Sequence, residues 1–196
     1  MNPYDIICHF YPEDTALRRL LWKHSSQVRD KALAILHARE TGFLRLNEEL
    51  VTAGALLHDI GVGRCHAPTI LCTGTEPYLA HGIIGGSMLR EYGDAHGLDL
   101  EPCARICERH TGTGLTASEI RASRLPLPEQ DFLPETNEEK LICLADKFFS
   151  KSGDMQEKPF SVVRSSLARF GTATLARFDA MCRLFGVSPQ SDAIPS

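Results

Sequence analysis

An adjacent histidine and aspartate, His58 and Asp59, follow an apolar run and stand just before Gly61. Neighbouring residues of a helix point about 100° apart, so these two side chains cannot share one outward face. At the end of a helix inside a bundle, they can still bind one metal ion, or each of them can bind one of two adjacent ions. The doublet therefore predicts a metal site if further ligands lie close to it.

Four other polar side chains lie on helical faces that are otherwise apolar: His24, His81, His110 and Asp146. Asp146 is the most informative, because Ile142 and Phe149 lie one helical turn before and after it. An isolated carboxylate in such surroundings is costly unless it is paired or coordinated. Its neighbour Lys147 is expected to point to another side, so a metal ion is the partner that the pattern indicates.

Two other interpretations of these residues remain open. The histidines and carboxylates could form a hydrogen-bonded core network without metal, although four histidines and two carboxylates would be unusual there. Separately, Cys103, Cys107 and His110 share one helical face and could hold zinc. No fourth cysteine or histidine follows them at finger-like spacing, which makes the zinc interpretation the weaker one.

The hydrophobic periodicity predicts helices throughout, and no stretch of four or more residues alternates as a strand would. We expect helices at 3–11, 14–39, 47–58, 76–92, 99–110, 116–123, 137–151, 159–170 and 172–186. Asp14, Asn47 and Asn137 are the expected N-caps, Gly61 is expected to close the third helix, and 61–76 is expected to be a loop. The prediction is an all-α, single-domain helical bundle over 1–187, with a flexible tail at 188–196.

Composition narrows the class of protein. The chain has 196 residues, of which 43% are apolar and 23% charged, as in a soluble globular domain with one core. A net charge of −4 without blocks of like charge argues against a nucleic-acid polymer as partner. No apolar run is long enough for a membrane span. Seven cysteines without an export signal favour free thiols in the cytoplasm. Nothing in the sequence indicates an oligomeric state.

The order His24, His58-Asp59, His81, His110, Asp146 resembles the HD-domain superfamily of metal-dependent phosphohydrolases, which is named after the doublet. Ile60 and Gly61 complete its HDIG form. The two additional histidines, His81 and His110, match the subset that holds two metal ions. The resemblance covers about residues 20–151.

This resemblance implies a helical bundle around two divalent transition metal ions, bridged by the Asp59 carboxylate and by a water or hydroxide. His24, His58 and Asp146 would complete the shell of one ion, and His81 and His110 that of the other. Such ligands suit Fe, Mn, Zn, Co or Ni. The implied activity is hydrolysis of a phosphoester or phosphoanhydride of a nucleotide or related small metabolite, with His58 and Asp59 catalytic. Two-metal hydrolases of dinucleoside tetraphosphates have a comparable size and ligand order.

Candidate contacts to a phosphorylated substrate are Arg64 and His66, after the doublet, and Lys147 and Lys151, which flank Asp146. For each of them, a solvated surface cation is the alternative. Many HDIG sequences continue with lysine, whereas this chain has Val62, so Arg64 could take over that role.

Two other functions also fit the resemblance. Some HD proteins with the same ligand order are mixed-valent di-iron oxygenases that cleave C–C or C–P bonds. A non-catalytic sensor that binds a nucleotide in the same pocket is the remaining alternative.

Overall fold

The computed structural model of the protein describes residues 2–38 and 44–189. Within these residues the α-helices are α1 (Pro3–Phe10), α2 (Ala16–Leu36), α3 (Glu48–Leu57), α4 (His81–His96), α5 (Glu101–Arg109), α6 (Ala117–Ala122), α7 (Asn137–Asp146), α8 (Phe160–Ala168) and α9 (Thr172–Phe185). The prediction of an all-α fold is confirmed. No helix of the described residues is long and apolar enough to cross a membrane.

Two clusters of buried apolar side chains form the interior. One joins α2, α7, α8 and α9 through residues such as Val28, Ile142 and Phe178. The other joins α1, α4 and the doublet turn through residues such as Ile7 and Leu89. Helices α3 and α5 contribute to both clusters. The doublet, at the end of α3, therefore lies where the two clusters meet.

Two of the predicted N-caps are wrong by one residue. Thr15, not Asp14, caps α2 and accepts a hydrogen bond from the Arg18 amide. Thr136, not Asn137, caps α7 in a reciprocal capping box with Glu139. In both cases the capping threonine has an extended backbone, which directs its side chain to the free amides of the first turn. Asn47 caps α3 as predicted.

Residues 61–76 contain more regular structure than the predicted loop. Residues Val62–Arg64 and Pro68–Ile70 form 3₁₀-helices, and β1 (His66–Ala67) pairs antiparallel with β2 (Cys72–Thr73). Leu71 connects the pair in the left-handed region, at φ 66°. Strands of two residues are too short to show the alternation by which a strand is recognised.

The helix predicted from residue 76 begins later, and in two parts. Tyr78–Ala80 form a 3₁₀-helix, and α4 starts at His81. Gly97 ends α4 at φ 65°, a conformation that glycine adopts without strain. His81 thus lies at the first turn of a helix, as His58 lies at the end of another.

Gly61 has a different role from the predicted helix cap. Helix α3 ends at Leu57, and Gly61 has an ordinary φ of −81°. A Cβ at residue 61 would lie 2.2 Å from the His81 carbonyl oxygen and 2.5 Å from the Gly85 amide nitrogen. The glycine therefore allows the doublet turn to pack directly on the backbone of α4, which sets where His81 lies.

Some predictions fall outside the described residues. These are the end of the second helix near Arg39 and most of the predicted tail, of which only residues 188 and 189 are described. The assignment of 1–187 to a single domain stays a prediction.

Replacement of Gly61 tests this packing. Gly61→Ala is expected to lower the free energy of unfolding by about 1–3 kcal/mol, because the added methyl group meets backbone atoms that cannot rotate away. Ser87→Ala, at an exposed position of α4, is the matched control and should change stability by less than about 0.5 kcal/mol. Urea unfolding measures both. Equal stability of the two variants would contradict the close approach.

Candidate metal centre

Six polar side chains meet in the interior, and five helices supply them. They are His24 of α2, His58 and Asp59 just after α3, His81 at the start of α4, His110 just after α5, and Asp146 at the end of α7. All six are buried, and Asp146 is the most exposed of them at 9%. Three helix C-termini converge here, and their partial negative charge favours a cation.

The Asp59 carboxylate divides the cluster into two groups. Its Oδ2 lies 3.2 Å from His24 Nε2 and 3.0 Å from His58 Nε2, and Asp146 Oδ1 faces the same two nitrogens at 3.1 and 3.5 Å. Its Oδ1 lies 3.3 Å from His81 Nε2 and 3.4 Å from His110 Nε2. Each group has at least three ligand atoms within metal-binding range of one another. Asp59 belongs to both, as a bridging carboxylate would.

Backbone carbonyls set the orientation of three of the histidines. The Nδ1–H groups of His58, His81 and His110 donate to the carbonyl three residues earlier, at 2.7, 2.6 and 2.7 Å. With the proton held on Nδ1, the lone pair of Nε2 is free and points into the cluster. His24 differs, because its Nε2 faces the two carboxylates and its Nδ1 has no partner among the described residues.

The nitrogen and oxygen atoms inside the cluster do not satisfy one another's hydrogen-bonding capacity. Within the described residues, His58 Nε2 and both oxygens of Asp59 are buried without a well-formed hydrogen bond, although Lys151 Nζ forms an ion pair with Asp59 Oδ2 at 2.6 Å. His81 Nε2 and His110 Nε2 are 3.0 Å apart, although both carry a lone pair in the tautomer that the carbonyls select. A cation between such atoms removes the repulsion and supplies the missing partner. The donor set therefore fits metal ions better than a core network without them.

The pKa values of His81 and His110 agree with this interpretation. Burial, together with the adjacent His110, lowers the pKa of His81 to about 3, and burial also lowers that of His110. Both rings are therefore neutral at pH 7, as a metal ligand must be. Burial opposes protonation of His58, but Asp59 and Asp146 outweigh it and raise its pKa to about 9. A bound cation would take the place of that proton.

Two lysines balance the two carboxylates. Lys151 Nζ lies 2.6 Å from Asp59 Oδ2, and Lys147 Nζ lies 2.8 Å from Asp146 Oδ2. Although burial opposes ionisation, these ammonium groups and the histidines hold the pKa values of both carboxyl groups well below their usual range. The expectation that Lys147 points away from Asp146 is wrong. Lys147 keeps a helical backbone, at φ −62° and ψ −25°, so it is the reach of its long side chain, whose Nζ also donates to the His110 carbonyl, that brings the two groups together.

The other two predicted substrate contacts are not brought to this cluster. Arg64 and His66 are exposed, and their side chains make no contact with it in the described part of the chain. Val62 is fully buried in the apolar cluster beneath the doublet turn. The cysteine–zinc alternative also finds no support, since the Cys107 thiol donates to the Leu57 carbonyl while His110 turns toward Asp59.

Two residues near the cluster are missing from the sequence-based prediction. Tyr78 stacks on His81, with ring centroids 4.8 Å apart, and supplies the carbonyl that holds His81 Nδ1. Lys158 is half-buried beyond α7, where the charges of Asp146 and Lys151 act on it. The position of Tyr78, three residues before a predicted ligand, was a usable signal. Nothing in the sequence pattern marks Lys158.

The fold and the cluster define a class of protein: a helical bundle with a buried histidine–carboxylate metal site built from facing helices. The chain belongs to the HD domain family, whose model matches residues 21–150. This match confirms the resemblance that the ordered ligand set indicates.

Three relatives are similar to this chain. An uncharacterized protein of Methanocaldococcus jannaschii is 38% identical over 124 residues, which are 63% of either chain. A tRNA (cytidine(56)-2′-O)-methyltransferase of Picrophilus torridus is 38% identical over 53% of this chain and 25% of its own length. One of Thermoplasma volcanium is 35% identical over 73% of this chain and 35% of its own length. The chain thus spans less than two thirds of each relative. No solved structure gives a significant match.

The contribution of the Lys151–Asp59 ion pair to stability can be tested without metal. Lys151→Met is expected to lower the free energy of unfolding by about 3 kcal/mol in the presence of a chelator, because it removes one partner of a buried ion pair. Lys23→Met, at an exposed position of α2, should change stability by less than about 0.5 kcal/mol. Chemical unfolding at pH 7 measures both. A loss for Lys151→Met no larger than that of the control would contradict the buried pair.

Proposed function

We propose that the protein is a metal-dependent phosphohydrolase that cleaves a phosphoester or phosphoanhydride of a nucleotide or related small metabolite. One observation carries the proposal: the ligand atoms of five buried side chains converge in two groups around the two oxygens of Asp59. Such an arrangement is expected for a site with two divalent metal ions.

In this proposal His24, His58, Asp59 and Asp146 hold one ion, and Asp59, His81 and His110 hold the other. Two bound cations lower the pKa of water between them and neutralise charge on phosphoryl oxygens. The chain itself orients the ligands, since the carbonyls behind His58, His81 and His110 fix which nitrogen faces the site. His58 and Asp59 are catalytic through these contacts, and Asp59 determines how the two halves of the site are joined.

The charges around the site favour a phosphorylated substrate. Lys147 and Lys151 already balance the two carboxylates, so divalent cations would leave a large excess of positive charge. A polyanion such as a phosphate ester or anhydride offsets that excess. A neutral polyol, as an oxygenase of this family could take, would not. The buried ammonium groups therefore argue against an oxygenase that acts on a neutral polyol. An oxygenase that cleaves the C–P bond of an anionic phosphonate is distinguished from the hydrolase by O₂ uptake, and an intact ligand set argues against a non-catalytic sensor.

The tRNA methyltransferases among the relatives do not change this proposal. This chain covers only 25% and 35% of their lengths, so the activity in their names belongs to much longer proteins. The net charge of −4 gives no electrostatic support for binding a nucleic-acid polymer. We propose a small phosphorylated molecule as the substrate.

Removal of the doublet is the first test of this function. His58→Ala and Asp59→Ala are each expected to lower bound metal and to reduce kcat/KM more than about 100-fold, since even outer-shell changes cost 10–100-fold. Metal analysis and phosphate release from a nucleotide panel with Mn²⁺ or Co²⁺ measure the two effects. His37→Ala, which removes an exposed histidine at the end of α2, is the control and should match wild type. Wild-type turnover in either doublet variant would refute the assignment.

The second pair of histidines tests the number of ions. His81→Ala and His110→Ala are each expected to retain one equivalent of metal instead of two and to lose most activity, because Asp59 and one remaining histidine bind the second ion too weakly. Metal content after gel filtration, measured by elemental analysis, distinguishes one ion from two. Two equivalents in both variants would show that His81 and His110 are not ligands.

A further inference from the structure

Tyr78 contacts one of the candidate metal ligands, His81, through both its backbone and its ring. Its 3₁₀-turn immediately precedes His81, and its carbonyl accepts the His81 Nδ1–H bond at 2.6 Å. Its ring stacks on the His81 imidazole at 4.8 Å with an interplanar angle of 23°. Both contacts act on a residue whose Nε2 faces Asp59. The backbone and ring of Tyr78 therefore fix the position of one ligand.

The Tyr78 side chain also lies close to the ammonium group of Lys151. Lys151 Nζ lies 6.0 Å from the centroid of the Tyr78 ring, and its ammonium group interacts with the hydroxyl. The same ammonium group lies 2.6 Å from Asp59 Oδ2. The charge of Asp59 also acts on the hydroxyl. Tyr78 is only half-buried, so part of this residue is accessible to solvent although His81 and Asp59 are buried.

We propose that the Tyr78 hydroxyl and the Lys151 ammonium together form an anion subsite beside the metal centre, which holds a phosphoryl oxygen of the substrate. This inference rests on the proposed function. A phenol hydroxyl is protonated in neutral solution and can donate one hydrogen bond, and an ammonium group can donate three. Lys151 uses part of this capacity on Asp59 and keeps donors for a second anion. Tyr78 is thus a positioning residue for metal and a contact residue for substrate.

These two roles can be separated by substitution. Tyr78→Phe keeps the ring and the carbonyl and removes only the hydroxyl, so Mn²⁺ affinity should stay within twofold of wild type. The affinity of the Mn²⁺-loaded protein for inorganic phosphate should fall about 10-fold, as for the loss of a hydrogen bond to a charged group. Tyr78→Leu also removes the stacked ring and should weaken binding of Mn²⁺ about 10-fold. Tyr92→Phe removes a phenol hydroxyl on the surface of α4 and should match wild type in both measurements.

Isothermal titration calorimetry with Mn²⁺, followed by inorganic phosphate, gives both affinities without any need for turnover. Wild-type phosphate affinity in Tyr78→Phe, or no phosphate binding by the wild-type protein, would overturn the anion subsite. Wild-type Mn²⁺ affinity in Tyr78→Leu would overturn the positioning role.

The proposed function can fail separately from this inference. If the wild-type protein binds phosphate through Tyr78 but releases none from any nucleotide, the subsite stands and the hydrolase does not. If it hydrolyses nucleotides while Tyr78→Phe binds phosphate normally, only the subsite is wrong.

Discussion

The structure depends on the burial of one carboxylate, Asp59, with histidine nitrogens facing each of its two oxygens. A buried carboxylate is costly unless it is paired, and Lys151 together with His58 supplies the charge that balances it. The Nε2 atoms of the four histidines still face the two oxygens of this carboxylate. The fold therefore concentrates ligand atoms to a degree that core packing alone would not tolerate. A cation is the one partner that satisfies nitrogen and oxygen lone pairs together.

Helix ends make this concentration possible. His58 and His110 each follow the last turn of a helix, where carbonyl groups have no partner within the helix, and their Nδ1–H groups use those carbonyls. One interaction thus satisfies the helix terminus and selects the tautomer that leaves Nε2 free. Gly61 brings the turn after α3 against the start of α4, so that His81 completes the set. The helix ends and the close packing at Gly61 therefore determine both how the bundle packs and where the ligand atoms lie.

The sequence was sufficient to predict the all-α fold and the residues that meet, because a histidine or carboxylate on an apolar helical face needs a partner. It could not predict contacts that depend on how far a flexible side chain reaches. Neighbours in a helix point about 100° apart, yet the Lys147 ammonium group pairs with the Asp146 carboxylate at 2.8 Å. Closeness in sequence to the doublet makes Arg64 a candidate contact, but Arg64 is exposed to solvent. Tyr78 lies three residues before a predicted ligand, but no residue pattern specifies that its ring stacks on His81.

The central claim is that cations occupy both sides of Asp59. Anomalous diffraction from crystals grown with Mn²⁺ or Co²⁺ tests it most directly. The account predicts two anomalous peaks about 3.5–4 Å apart, one near His24, His58 and Asp146 and the other near His81 and His110. No peak at Asp59, with Lys151 and the histidines still in contact with its carboxylate in a metal-rich solution, would contradict the account.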